Sequence, residues 1–170
     1  SCPRVGRGVL AVKLDARGPV LYKQARVGKD GEDFELLKLR TMIVGAEKQG
    51  AGYAVDKGDS RITKVGRILR RLSIDELPQL WNVVRGDMSL VGPRPLVLHM
   101  LAPYPQILAV RSLGRPGITG LWQVSERANN SHVFAMLRYD MEYLRELTIS
   151  MDMRILVRTV SVAMSGWGAV

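Results

Sequence analysis

The segment Gly92-Pro93-Arg94-Pro95 limits the fold of this chain more than any other. Proline fixes φ, lacks an amide N–H and pushes the residue before it out of helical geometry. The run is therefore a rigid, non-helical turn, with the backbone fixed on both sides of one arginine. Arg115-Pro116-Gly117-Ile118-Thr119-Gly120 reads as a second rigid loop, and Gly18-Pro19 as a turn. A helix over about residues 96–110 is interrupted near Pro103 and Pro105.

Between these breaks the hydrophobic pattern predicts short elements. Residues 9–15 form a brief apolar stretch. Residues 20–26 and 34–40 read as strands, and the polar, two-glycine stretch 27–33 joins them as a hairpin. Residues 45–60 are Gly-rich and polar without a period, and read as a mobile loop. Over Arg61–Leu72, Ile62, Val65, Ile68, Leu69 and Leu72 share one helical face. Arg61, Lys64, Arg67 and Arg71 line another face. A second helix covers about residues 76–85 and stops at Gly86. Residues 131–147 and 151–165 read as closing helices. The fold class expected is α+β: a mainly helical single domain with one N-terminal β-hairpin.

Composition narrows the function. The chain has 170 residues, which suits one domain, and 46% of them are hydrophobic, which excludes a disordered chain. Cys2 is the only cysteine, so no internal disulfide forms, and with only His99 and His132 a Cys/His zinc site is not expected. No apolar run approaches the ~20 residues of a membrane-spanning helix. There are 25 Lys+Arg against 16 Asp+Glu, a net charge of +9. That balance points to a polyanionic partner: nucleic acid, an anionic membrane surface or a phosphate-rich substrate. No nucleic-acid motif is present. Trp81, Trp122 and Trp167 have no stacking-platform spacing, so nucleic acid is not the expected partner.

Four sets of residues can carry chemistry. In Ser73-Ile74-Asp75-Glu76-Leu77-Pro78, Ser73 and Glu76 have capping-box spacing. Pro78 favours a different register, with Asp75 as the helix cap, because proline belongs where helix N–H groups are unpaired. A cap position, with Arg70 and Arg71 nearby, keeps Asp75 ionised, and an ionised carboxylate is a usable nucleophile or metal ligand. On the residues alone, capping outweighs catalysis. Arg94 between its prolines is either a held phosphate fork or a solvated turn, and the two readings weigh equally. Lys38 and Arg40 share a strand face, which by itself reads as solvated. Asp140 and Tyr143 share a helix face, and Asp152 by itself reads as the cap of the last helix. His99 and His132 read as surface or packing residues.

Taken together, these segments resemble the bacterial sugar transferases. These are the monotopic polyprenyl-phosphate phosphoglycosyltransferases that initiate exopolysaccharide, capsule and O-antigen assembly. The resemblance rests first on residues 70–95, Arg-Arg-Leu-Ser-Ile-Asp-Glu-Leu-Pro-Gln-Leu-Trp-Asn-Val-Val-Arg-Gly-Asp-Met-Ser-Leu-Val-Gly-Pro-Arg-Pro. It continues in Gly18-Pro19-Val20, in Lys38-Leu39-Arg40-Thr41-Met42 and in Arg115-Pro116-Gly117-Ile118-Thr119-Gly120-Leu121-Trp122-Gln123-Val124. It ends with Asp140-x-x-Tyr143 and Met151-Asp152-Met153-Arg154-Ile155-Leu156, so it spans roughly residues 9–160 in order.

The resemblance implies that a nucleoside-diphosphate sugar, usually a UDP-sugar, gives its sugar-1-phosphate to a polyprenyl phosphate at the cytoplasmic face of the bacterial membrane. Asp75 and Glu76 match the catalytic pair: Asp75 as nucleophile, Glu76 as a holder of Mg²⁺, with Asp75 beside the ion. Arg94, Lys38 and Arg70 match phosphate-binding positions. Gln123, Arg127, Asp140 and Asp152 match positions for donor binding or site support. A membrane surface is an implied partner, and a homodimer is left open. The family carries an apolar membrane segment ahead of residues 9–15. Here residues 1–8 are basic and glycine-containing, which implies a shortened N-terminus before a catalytic domain at 9–170. Glu126 replaces a glycine often seen before the matching arginine, and Arg145-Glu146-Leu147-Thr148-Ile149 replaces a Trp-containing segment. These departures bear on docking and sugar choice more than on the acid pair.

Overall fold

A computed structural model describes Val12 and residues 18–49, 58–126 and 133–165. The hairpin forms as expected. Strands β1 (Leu21–Val27) and β2 (Asp33–Leu39) pair antiparallel, with Leu21 opposite Leu39 and Val27 opposite Asp33. The connecting loop turns at Asp30, whose φ of 57° is left-handed. Its N–H docks the tip by donating to Ser112 O at 2.9 Å. Period 2 puts Tyr22, Gln24 and Arg26 of β1 on the same face as Phe34, Leu36 and Lys38 of β2.

Helix α1 (Lys64–Arg71) is shorter than the apolar period suggested. Thr63 caps it, its side chain accepting from Gly66 N at 2.9 Å. Arg61 therefore falls outside the helix, and it does not belong to a solvated basic face. It is buried, pairs with Asp59 at 2.6 Å and donates to Ala46 O and Gln49 O at 2.9 and 2.7 Å. Hydrogen bonds from the Arg61 side chain and backbone N–H to Asp59 hold its carboxyl down at about 2. Of the stretch expected to be a loop, residues 46–48 make a 3-10 turn, and residues 50–57 lie outside the described residues.

The expected helix over 76–85 divides in two. Ile74–Glu76 is a 3-10 turn, and α2 spans Gln79–Arg85. Asp75 is therefore not a helix cap, and Ser73, which precedes the 3-10 turn, makes no side-chain capping bond. Ser73 sits at φ 53°, a left-handed conformation that turns the chain sharply out of α1. Pro78 takes the position before α2, where a missing N–H is harmless. Gly86 ends α2 at φ 87°, as predicted.

The loop at 115–120 holds a surprise. Ser89–Val91 (β3) and Gly117–Thr119 (β4) form a parallel pair. Three-residue strands carry too little periodicity to be seen in a sequence. Glycine makes the pairing possible. A Cβ on Gly117 would lie 2.1 Å from Gly92 N, and one on Gly120 would lie 2.2 Å from Gly92 O. The interruption at Pro103 and Pro105 yields α3 (Leu98–Leu101) and α4 (Pro105–Arg111), with Pro105 in the first turn. Then follow α5 (Leu121–Ser125), α6 (Val133–Arg145) and α7 (Ile149–Ser165). One core joins Val27, Leu96, Leu101, Ile107, Trp122 and Met136, and a second joins Val91, Val124, Tyr143 and Ile155. The hairpin and the C-terminal helices thus close around the two proline-containing loops.

Candidate active site

The acid turn is seated on the hairpin through α2. Asn82 is fully buried and acts as a surrogate strand against β2. Its Oδ1 accepts from Leu37 N at 3.1 Å, and its Nδ2 donates to Glu35 O at 2.7 Å. Helix α2 buries its polar side chains Gln79 and Asn82, while Leu80, Trp81 and Val84 are exposed. That inversion of the usual amphipathic order brings Glu76, three residues before Gln79, over Lys38. Lys38 Nζ donates to Glu76 Oε1 at 2.9 Å, and Arg94 Nη1 lies 4.0 Å from the same oxygen. Burial pulls the Lys38 ammonium below its usual range, and Arg94 adds to that, while Glu76 and Asp75 pull the other way. Asp75 is buried in the same turn.

Between these groups lies a shallow pocket open to solvent, lined by Arg26, Leu36, Lys38, Glu76, Gln79, Arg94, Pro95 and Ile118. The structure therefore brings Lys38, Asp75, Glu76 and Arg94 to one place. Arg70 is held elsewhere by its Nε, which donates to Thr41 Oγ1 at 2.9 Å, two residues past β2.

The other expected site residues make contacts within the protein. Gln123 Nε2 donates to Ile118 O at 2.8 Å behind the pocket wall. Asp140 forms a buried ion pair with Arg111. Asp152 accepts from Tyr143 OH at 2.8 Å, and that hydroxyl also lies 3.2 Å from Val91 O. Burial, with Asp152, raises the Tyr143 phenol well above its usual range. Asp152 does not cap the last helix, which begins at Ile149, and Thr148 Oγ1 accepts there from Met151 N at 3.2 Å. Arg127 and His132 lie outside the described residues.

Sequence reasoning missed Arg26, Asn82 and Arg111. Arg26 was reachable, since strand alternation puts it on the Lys38 face. Asn82 and Arg111 gave no signal, because each is defined by partners distant in sequence.

Two adjacent carboxylates suit a Mg²⁺ ion that completes its shell from elsewhere. Mg²⁺ is usually bound through one or two carboxylates together with substrate phosphates and water. Among the described residues no group of three or more His, Cys, Asp or Glu could hold a metal. Asp75 and Glu76 stand side by side in one turn, where two carboxylates could share such an ion with phosphate oxygens and water.

The sequence profile described as bacterial sugar transferase matches residues 3–166. A UDP-glucose:undecaprenyl-phosphate glucose-1-phosphate transferase of Caulobacter vibrioides is 44% identical over 89% of this chain and 59% of its own length. A UDP-N-acetylgalactosamine-undecaprenyl-phosphate N-acetylgalactosaminephosphotransferase of Aeromonas hydrophila is 38% identical over 93% of this chain and 38% of its own. The exopolysaccharide production protein ExoY of Rhizobium meliloti is 37% identical over 88% of this chain and 72% of its own. The chain thus spans well under two thirds of the Caulobacter and Aeromonas relatives. The ordered motifs and the profile agree over nearly the whole sequence, and on that ground this chain belongs to the bacterial sugar transferase family.

Proposed function

We propose that this chain transfers a sugar-1-phosphate from a UDP-sugar to a polyprenyl phosphate, the initiating step of a bacterial surface glycan. The observation that carries the reading is the convergence of a lysine and an arginine on the carboxylate next to Asp75, at the edge of an open pocket. Phosphoryl transfer between anions needs positive charge on the non-reacting oxygens, and Lys38 and Arg94 supply it. Asp75 Oδ attacks the β-phosphorus, the bond from that phosphorus to the bridging oxygen breaks, and UMP leaves. An oxygen of the lipid phosphate then attacks the phosphosugar–aspartyl intermediate and frees the carboxylate. Splitting the transfer in two is the usual gain of covalent catalysis. Glu76, with Asp75, would hold Mg²⁺, which when bound withdraws electron density from the diphosphate and improves its leaving group.

The lipid acceptor calls for a membrane surface. No described helix is long and apolar enough to cross a membrane. The inverted helix α2 offers an interfacial alternative. Leu77, Leu80, Trp81 and Val84 are exposed along it, and Ile68 and Leu72 at the end of α1 are exposed as well. Lys64, Arg67 and Arg71 are exposed on α1. An apolar face with cations beside it favours an anionic bilayer, at roughly 1 kcal/mol per Lys or Arg near the surface. This reading puts the pocket at the cytoplasmic face of the bacterial membrane, where donor and lipid meet.

The test is UMP release from a UDP-sugar panel with undecaprenyl phosphate and Mg²⁺, comparing wild type with Asp75→Ala. Asp75→Ala is expected to lose on the order of 10⁶-fold in rate, as when other enzymes lose their nucleophile. Equal release by both proteins rejects Asp75 as the attacking group. Mass spectrometry of the wild type held with donor alone is expected to find a phosphosugar on Asp75.

A further inference from the structure

The three carbonyls of Pro93-Arg94-Pro95 are each held by a donor from a different part of the chain. Gly117 N donates to Pro93 O at 2.9 Å, Arg111 Nη2 to Arg94 O at 2.5 Å and Arg26 Nη1 to Pro95 O at 3.0 Å. The prolines have no N–H of their own, so the turn is braced through its acceptors. The middle clamp is the unusual one. Arg111, on α4, is buried, and its other nitrogen, Nη1, pairs with Asp140 on α6, which is also buried. A planar guanidinium fork spans the two partners in one fixed geometry.

Stability alone explains this arrangement poorly. Burying two charges is expensive, and apolar residues of similar volume often serve as well or better. Burial pushes Asp140 up to about 6 against the pull of Arg111, and pulls Arg111 down against the pull of Asp140. What an apolar pair cannot supply is a directed donor for the Arg94 carbonyl. Arg94 also lines the pockets on both sides of its turn, one shared with Arg111 and Ser112 and the other with Lys38 and Glu76. Its side chain reaches Glu76 only if the turn beneath it keeps its angle.

We propose that Arg111 and Asp140 are positioning residues for Arg94: the buried carboxylate aims the Arg111 fork at the Arg94 carbonyl, and that grip sets where the Arg94 guanidinium meets the donor diphosphate. This rests on the donor reading given above.

The test is a double-mutant cycle read by equilibrium binding of UDP, with wild type, Arg94→Ala, Asp140→Asn and the double variant. Arg94→Ala keeps the gripped carbonyl and removes only the side chain. Asp140→Asn is expected to weaken UDP about tenfold when Arg94 is present, the order of one loosened charge-assisted contact, and less than about twofold in the Arg94→Ala background. Equal losses in both backgrounds overturn the proposal. Arg111→Lys keeps the charge facing Asp140 but loses the fork, and it runs through the same cycle with the same expectation should Asp140→Asn fail to fold. Asp140→Glu, which keeps the ion pair, is expected to restore most of the affinity. The NMR order parameter of the Arg94 side-chain Nε is measured alongside and is expected to fall in Arg111→Lys. A wild type that binds no UDP, with that order parameter still falling, sinks the donor reading and keeps the clamp. Normal UDP binding with an unchanged order parameter and no coupling sinks the clamp and keeps the reading.

Discussion

The acid turn at residues 73–78 and the arginine turn at 92–95 serve one pocket and are held in different ways. The acid turn begins at a left-handed serine, and Lys38 meets Glu76 side chain to side chain at 2.9 Å. Its seat is the helix behind it, hooked to β2 by Asn82. The arginine turn is held by its backbone, through an amide, a buried guanidinium and a part-buried one. Charge can be exchanged when a charged ligand arrives, whereas backbone clamps cannot. The difference lets the acid side exchange partners while the arginine turn keeps its place.

The contrast can be broken most severely from the arginine side. Gly117→Ala would place a methyl 2.1 Å from Gly92 N and 2.4 Å from Thr119 O, both backbone atoms. The strands must then separate, and a loss of about 3 kcal/mol in unfolding free energy is expected, the upper range for overpacking. A denaturant midpoint within error of wild type would mean that the crossing is slack. On the acid side, Asn82→Ala removes both hooks and leaves Leu37 N and Glu35 O without them. About 2 kcal/mol is expected, the order for a buried donor left unsatisfied. Turnover per folded molecule should fall too, as Glu76 slips from Lys38. The smallest effect concerns the entry to α1. Asp59 is held at about 2, below its usual 3.8, by hydrogen bonds from Arg61. A carboxylate with a lowered folded-state value stabilises above its unfolded value and loses that contribution as pH falls through the folded one. Wild type and Asp59→Asn should therefore differ in stability at pH 7 and converge as pH falls from about 4 through 2. A gap at pH 2 undiminished from that at pH 7 contradicts the ion-pair account.

What could be read in the sequence follows from how local each signal is. The hairpin was legible because two runs of strand length flank a polar stretch that carries two glycines. Gly86 announced the end of α2 because a left-handed stop favours glycine. Arg94 stood out because its prolines are its neighbours. The parallel pair was hidden, since three residues show no period and the signal lay in glycines 92, 117 and 120, whose contact spans the chain. The start of α2 was misplaced because acids, a serine and a proline all fit a helix entry, and only the left-handed Ser73 decides the register. Asn82 was overlooked because its partners on β2 lie 45 residues and more away, and α2 turns Leu80, Trp81 and Val84 outward around it. Inverted burial is invisible to a rule that sends apolar side chains inward.

The contacts that build the pocket span long stretches of chain: Arg26 to Pro95 covers 69 residues, Asn82 to Leu37 covers 45 and Lys38 to Glu76 covers 38. Each of these closures carries a loop entropy that distant pairing must offset. The short helices depend on that packing, but α6 and α7, with 13 and 17 residues, are long enough to hold some helix without it, so a heated or freshly refolded sample can keep part of its circular-dichroism signal while the cleft has come apart. Quality control for this protein should follow a probe placed across the cleft, because spectroscopic helicity will overstate the fraction that is competent.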